Sequence, residues 1–267
     1  TINFNNLEGL KKTMLSVFNQ TYQDFEFIVI DGGSTDGSTS FIEQHSNKLT
    51  YWVSEPDKGI YNAMNKGIAK AKGEYVLFLN SGDFLHHKTI LELALNTFIT
   101  DEDIIYGDVL LQNKDLGVDK IQVHPSKLPF SYFYKQTLCQ QSSFIKRKLF
   151  DQIFYFNEEY KISSDWEFFI YAIYIEKVSY KKIDLIVAVY NMEGISSNIK
   201  FRNISNQERQ QTLETYFPLF IDDYKLLMSY SSSRFTQLKR IENSVILRKI
   251  VSVIFKCLLF FSPNKNK

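Results

Sequence analysis

Residues 25–38 read FEFIVIDGGSTDGS, and their reading decides the fold class. Phe25, Phe27, Ile28, Val29 and Ile30 form an apolar run rich in β-branched and aromatic side chains, the composition of a parallel strand covered on both faces. Asp31 ends that run. Gly32, Gly33 and a Ser/Thr/Asp cluster follow, residue types that turn tightly, tolerate positive φ and cap the next helix. A carboxylate is therefore expected at the carboxyl end of a buried strand, the place where open α/β sheets bind ligands.

Upstream, Leu7, Leu10, Met14 and Val17 recur at helical spacing, which predicts a helix over residues 7–19 capped by Asn5 or Asn6. Residues 1–5 read as the end of a strand running into a turn, and more apolar residues are expected before them. Downstream, a short helix follows Ser38 and LTYWVS (49–54) reads as a strand. Pro56 stops that strand within Glu55-Pro56-Asp57-Lys58-Gly59. Ile60, Ala63, Met64, Ile68 and Ala71 follow helical spacing, with Gly73 at the terminating position. YVLFL (75–79) is another buried-strand run, broken by Asn80-Ser81-Gly82-Asp83, so a second strand end carries a carboxylate.

A helix is expected over 90–98 and a strand over 103–111. Pro125, Pro129 and scattered polar residues predict loops from 112 to about 136 rather than another βα unit. Residues 138–150 read as a strand and a turn of helix, and residues 182–190 as a further strand. Between them Asp165 opens a helix carrying Trp166, Phe169, Ile170 and Ile173, at whose N-terminus an ionised carboxylate is favoured.

Composition narrows the function classes. With 267 residues the chain is one large domain or one domain with an appendage, and a net charge of +1 gives no global attraction to nucleic acid, which is not expected as a partner. Cys139 and Cys257 stand alone without metal-ligand spacing, which fits a reducing, cytoplasmic compartment. Neither a signal peptide nor an uncharged apolar run of about 20 residues is visible. Residues 241–261 interleave apolar side chains with Arg248, Lys249 and Lys256, just after Arg240. This basic amphipathic pattern suits peripheral contact with an anionic membrane surface, on the inner face of the cell membrane; packing on the domain or in a homodimer is the other use.

Asp31, Asp57 and Asp83 all end strands or follow them at turns, and parallel α/β topology gathers such ends along one rim. Each alone is also an ordinary turn former. A hard cation such as Mg²⁺ or Mn²⁺ takes oxygen ligands, a role suited to Asp83, while Asp31 and Asp57 suit N–H and O–H donors of a base or ribose. No GxGxxG and no P-loop lysine motif occurs, which removes support for a dinucleotide fingerprint or a Walker-type NTPase.

Four segments in order, VIDGGSTDGS (29–38), SEPDKGIYNAMNKGIAKAKGEYVLFLNSGD (54–83), LCQQSSFIKRKLF (138–150) and ISSDWEFF (162–169), resemble the family 2 inverting glycosyltransferases of the GT-A fold. The resemblance is to bacterial enzymes that build surface polysaccharides, and it covers residues 1–197. It implies an α/β fold with a mainly parallel central sheet flanked by helices. The catalytic domain would span 1–198, a nucleotide-sugar half to 109 and an acceptor-side half from 110, followed by a helical extension over 199–267. The implied donor is a nucleotide sugar, a UDP-sugar, with Asp31 and Asp57 on uracil and ribose and Gly33 and Lys58 beside them. Asp83 matches the last acid of the DxD-like motif and would hold Mn²⁺ or Mg²⁺ on the diphosphate. Asp165 matches the base that deprotonates a glycan or polyprenyl-linked acceptor; Glu158 or Glu159 would substitute if the alignment is shifted.

Three departures accompany the match. Gly82 stands where members often have a second acid, Gln140-Gln141 where many have His-Gln, and Glu193-Gly194 where two glycines are common. His86 and His87 read as surface turn residues, with ligation the alternative, and Asp36 as a residue holding the turn. A sugar nucleotidyltransferase would need a glycine-rich basic loop near its start, which is absent. A sugar-nucleotide-binding protein without turnover is the non-enzymatic alternative, against which Asp83 and Asp165 together argue.

Overall fold

The computed structural model describes residues 1–97, 101–113, 117–194, 199–223, 226, 230 and 232–261. Phe98, the expected end of a helix, and Asn198, the expected domain boundary, lie outside them. The chain forms two compact units, Thr1–Tyr216 and Phe217–Lys267.

In the first unit, β1 (Ile2–Asn3), β2 (Ile28–Asp31) and β3 (Tyr51–Ser54) form a parallel sheet in that order. Its register sets Asn3 beside Asp31 and Asp31 beside Ser54. The helices α1 (Leu7–Phe18) and α2 (Ser38–Gln44) make the crossovers. Helix α1 starts where Asn6 Oδ1 accepts Gly9 N–H at 3.1 Å. It buries Leu10, Thr13, Met14 and Val17 against a core that includes Val29, Ile42, Leu79 and Ile105. Helix α3 (Ile60–Lys70) follows β3.

The second sheet is mixed, with the order β4 (Tyr75–Val76), β8 (Ser143–Lys146), β6 (Ile104–Asn113), β9 (Tyr180–Asn191), β5 (Phe84–Leu85), and β7 (Val118–Gln122) pairing with β6. Among the described residues only β6 and β9 run parallel in it. Parallel pairing is thus concentrated in the first sheet. An isolated parallel bridge from Ile2 to Asn80, with Ser81 N–H donating to Ile2 O at 3.0 Å, ties the two sheets together. The turn bearing Asp83 therefore lies next to the strand ends that bear Asp31.

Residues 112–136 differ from the expected loops. Strand β6 continues to Asn113, β7 returns antiparallel on it, and α5 (Phe130–Lys135) follows. Pairing of β7 relies on backbone hydrogen bonds and needs no apolar alternation; its Ile121 remains 48% exposed. The shorter helices α4 (Ile90–Leu95) and α6 (Lys148–Gln152) pack against β9 and β8.

Helix α7 (Ser164–Tyr174) is buried nearly all round, with Phe168 stacked on Phe150 at 4.6 Å. Helix α8 (Arg202–Tyr216) belongs to the first unit, which therefore extends past the boundary expected at 198.

The second unit contains α9 (Ser233–Glu242) and α10 (Val245–Phe260), and neither has a buried residue. Among the described residues no helix is long and apolar enough to cross a membrane.

Candidate active site

The opening carboxylate sits in a closed hydrogen-bond cage. Asp31 is 0% exposed. Its Oδ1 accepts Asn3 Nδ2–H and Ser34 Oγ–H, both at 2.6 Å. Its Oδ2 accepts Ser34 N–H at 2.9 Å and Ser54 Oγ–H at 2.6 Å. Burial alone would raise this carboxyl, but the donors from Ser34, Ser54 and Asn3 outweigh it and hold the pKa below the ordinary value. The protein's own donors occupy the carboxylate, which joins β1, β2, β3 and the following loop.

A depressed folded-state pKa means that this carboxylate stabilises the fold above the unfolded pKa, and that the contribution is lost as pH falls through the lowered value. Asp31→Asn, which turns an N–H₂ toward fixed donors, is expected to cost about 3 kcal/mol of stability in urea unfolding at neutral pH. A loss under roughly 0.5 kcal/mol, the scale of an inconsequential surface change, would reject the cage.

The glycine loop after Asp31 lies against the turn that carries Asp57. Gly33 has φ of +80°, and a Cβ there would stand 3.2 Å from Pro56 N. A Cβ on Gly32 would meet Asp57 Oδ2 at 2.6 Å. Only glycines let the β2 loop lie against the Asp57 turn in this way. Asp57 Oδ1 accepts Gly59 N–H at 2.9 Å, and Lys58 N–H reaches Asn62 Oδ1 at 3.2 Å. Oδ2 of Asp57 accepts no hydrogen bond among the described residues. Asp36 holds the turn as expected, accepting Leu7 N–H at 2.8 Å and Ser38 N–H at 3.1 Å.

Asp83 and Asp165 face one cavity of about 700 Å³, whose walls include Tyr61, Asn80, Gln140 and Arg209. The Asp83 turn is fixed from beneath: Thr13 Oγ accepts Gly82 N–H at 3.0 Å and donates to Asp83 O at 2.6 Å, while Gly82 takes φ of +105°. The Asp83 carboxylate accepts Asn191 N–H at 2.9 Å and Gln141 Nε2–H at 3.0 Å. Burial pushes it up to about 7.

The oxygens gathered here fit a hard cation. Asn80 Oδ1 and Gln140 Oε1 are buried acceptors without any donor among the described residues, on the same cavity as the raised Asp83 carboxyl. A divalent ion bound at Asp83 would draw the carboxyl back to its ionised form, with these amide oxygens available on the same cavity. Among the described residues no group of three His, Cys, Asp or Glu side chains could hold a metal, so the ion would rely on Asp83, amide oxygens and substrate phosphates. His86 and His87 are exposed, and His87 Nδ1 pairs with Thr89 Oγ at 2.9 Å.

Asp165 lies in the first turn of α7, and its Oδ1 accepts the Tyr61 hydroxyl of α3 at 3.0 Å. Burial raises its pKa above the ordinary value, opposed by the Tyr61 and Trp166 hydrogen bonds and the Arg209 charge. The helix N-terminus therefore does not by itself set the charge state; desolvation outweighs it. Glu158 accepts Asn62 and Asn65 side-chain N–H groups at 2.8 and 3.0 Å and fixes α3 rather than lining the cavity. Glu167 also lies off the cavity, where it is buried and pushed up to about 7 by desolvation.

Sequence reading missed the supports of this site. Asn191 and Gln141 hold Asp83, Tyr61 holds Asp165, and Glu208 of α8 accepts Lys161, Ile162 and Ser163 N–H at 2.6, 3.1 and 2.9 Å, anchoring the entrance to α7. A second, apolar cavity of about 600 Å³ lies against β2 and residues 73–79, and none of the candidate residues lines it.

A parallel sheet whose strand ends carry carboxylates, abutting a mixed sheet and a cation-suited turn, defines the GT-A class of α/β transferase folds. Residues 1–154 match Glycosyl transferase family 2, and the chain belongs to that family of glycosyltransferases. It is 31% identical over 204 residues to an uncharacterized glycosyltransferase of Mycobacterium tuberculosis, covering 74% of this chain and 76% of that one. A PGL/p-HBAD biosynthesis glycosyltransferase of Mycobacterium bovis is 29% identical over 195 residues, covering 68% and 72%.

Solved structures share the fold. TarS of S. aureus, residues 1–349 with UDP, superposes with a TM-score of 0.56 at 21% identity, over 71% of this chain. The chain spans 58% of the length of that TarS fragment. The mannosyltransferase PcManGT of Pyrobaculum calidifontis, with GDP-Man and Mn²⁺, gives a TM-score of 0.62 at 14% identity, over 97% of this chain and 79% of that one.

Proposed function

We propose that the chain is an inverting glycosyltransferase that moves a sugar from a UDP-sugar to a hydroxyl of a glycan or lipid-linked acceptor. The observation that carries this reading is the pairing of Asp83 and Asp165 on one cavity, each positioned by other elements. The complexes of TarS with UDP and UDP-GlcNAc, and of PcManGT with GDP-Man and Mn²⁺, support a nucleotide sugar with a divalent ion. A relative named cholesterol galactosyltransferase, 35% identical over 130 residues, supports a lipid acceptor.

On this reading Asp57, Gly33 and Lys58 receive base and ribose beside the loop that Asp31 holds. A divalent ion at Asp83, with Asn80 and Gln140 oxygens, would neutralise charge on the diphosphate. Asp165 takes the proton of the acceptor hydroxyl as its oxygen forms the new bond to the anomeric carbon. The carbon–oxygen bond to the diphosphate breaks on the opposite face, and a single displacement inverts the centre.

The test is a thermal-shift panel of nucleotide sugars with Mn²⁺, followed by product stereochemistry for those that bind. A ligand at 100 times its Kd stabilises by about 2.7 kcal/mol. UDP-sugars are expected to stabilise most. Stabilisation by GDP-sugars alone would overturn the UDP assignment, and a product of retained configuration would overturn single displacement.

Helix α10 supports contact with an anionic membrane. Residues 245–261 include Arg248, Lys249 and Lys256 but no acid, and Ile246, Leu259 and Phe260 are 72%, 70% and 85% exposed. A cation near such a surface contributes about 1 kcal/mol. Reversing all three to glutamate is therefore expected to weaken co-sedimentation with phosphatidylserine vesicles by at least about 10²-fold. Unchanged co-sedimentation would leave packing or dimerisation as the use of this helix.

A further inference from the structure

Arg209 lines the catalytic cavity with its charge unmatched among the described residues. Its guanidinium lies 5.2 Å from the Trp166 ring, and its Nε is buried with no hydrogen bond. No carboxylate among the described residues lies within ion-pair distance of it. Asp165 is the principal negative charge acting on it, yet that carboxylate receives its hydrogen bond from Tyr61 instead. A guanidinium offers five donors in a fixed fork, and leaving the buried Nε–H unpaired is costly. The fork matches a phosphate.

A second basic residue lines the same cavity. Glu208, next to Arg209, accepts the backbone N–H groups of residues 161–163, so α8 is fastened to the segment that leads into α7. Lys161 and Arg209 both line the cavity as a result, with Asp165 in the following turn. We propose that Arg209 and Lys161 form an anion subsite beside Asp165 that recognises a phosphate ester carried by the acceptor.

This inference rests on Asp165 being the base, because the acceptor hydroxyl must then lie against it. The donor's diphosphate has its own site at the other carboxylate. Asn191 and Gln141 hydrogen-bond Asp83, whereas the Arg209 guanidinium lies against the ring of Trp166, the neighbour of Asp165 in α7. A phosphate held by Arg209 thus belongs to the molecule whose hydroxyl is deprotonated.

Calorimetric titration of the full chain, saturated with UDP and Mn²⁺, with sn-glycerol 3-phosphate tests the subsite, with glycerol as control. The wild type is expected to bind glycerol 3-phosphate and not glycerol. Arg209→Gln should weaken that binding at least tenfold and Arg209→Lys three- to tenfold, with UDP affinity unchanged within twofold. Lys161→Gln, on an exposed side chain, should weaken it at least threefold and serves if the Arg209 variants fail to fold. Equal glycerol 3-phosphate binding in wild type and variants, or none in wild type, overturns the subsite. A tenfold loss of UDP binding in Arg209→Gln also overturns it, by assigning the guanidinium to the donor. A wild type that binds no UDP fails the donor reading itself, and this inference with it.

Discussion

Asp165→Asn is expected to lower sugar transfer by about 10²–10⁴-fold, the range of a lost general base, while nucleotide-sugar affinity stays within about twofold. Asparagine keeps the size of the side chain and an oxygen for the Tyr61 hydroxyl, 3.0 Å away, but cannot take a proton. Burial also holds the Asp165 carboxyl above its ordinary pKa, so ionising it at neutral pH costs stability that the amide does not. The variant should therefore melt no lower than wild type. In wild type the acid limb of kcat/KM should lie above the ordinary carboxylate pKa and should disappear with the carboxylate. Equal transfer rates in the two proteins would remove Asp165 from the chemistry.

The second large effect belongs to the other wall of the cavity. Asp83→Ala is expected to abolish the dependence of nucleotide binding on Mn²⁺, read by calorimetry with and without the ion. Transfer should fall by about 10³-fold, the equivalent of the several kcal/mol a bound cation contributes to charge stabilisation. Truncation also frees Gln141 Nε2 and Asn191 N, which now donate to the carboxylate. Some loss of stability should accompany the change, about 1–3 kcal/mol for donors left without acceptors. If Mn²⁺ strengthens nucleotide binding equally in variant and wild type, the ion lies elsewhere.

How far these roles were legible depended on whether a residue's surroundings are local. Asp31 and Asp83 follow apolar runs and adjoin glycines, and Asp165 opens a helix, so each announced itself by its neighbours in sequence. Asp31's saturation did not, because two of its donors, Asn3 and Ser54, come from strands brought alongside only by sheet register. Arg209 and Glu208 sit in a helix of mixed charge where nothing distinguishes them from solvated neighbours. Strand β7 was unreadable for another reason: an edge strand can be polar on both faces, since its stability comes from the backbone ladder. The mixed second sheet escaped too, because β4 and β5 have two residues each, too short for periodicity to register.

The hydrogen bond from Asn191 to Asp83 spans 108 residues of chain, and that from Tyr61 to Asp165 spans 104. Closing loops of that length is entropically costly and slow, so contacts of this kind form after local helices and hairpins. Catalytic competence should consequently be the last property acquired in refolding. Helical circular dichroism would recover first, and transfer would return only in the phase that joins the two ends of the first unit.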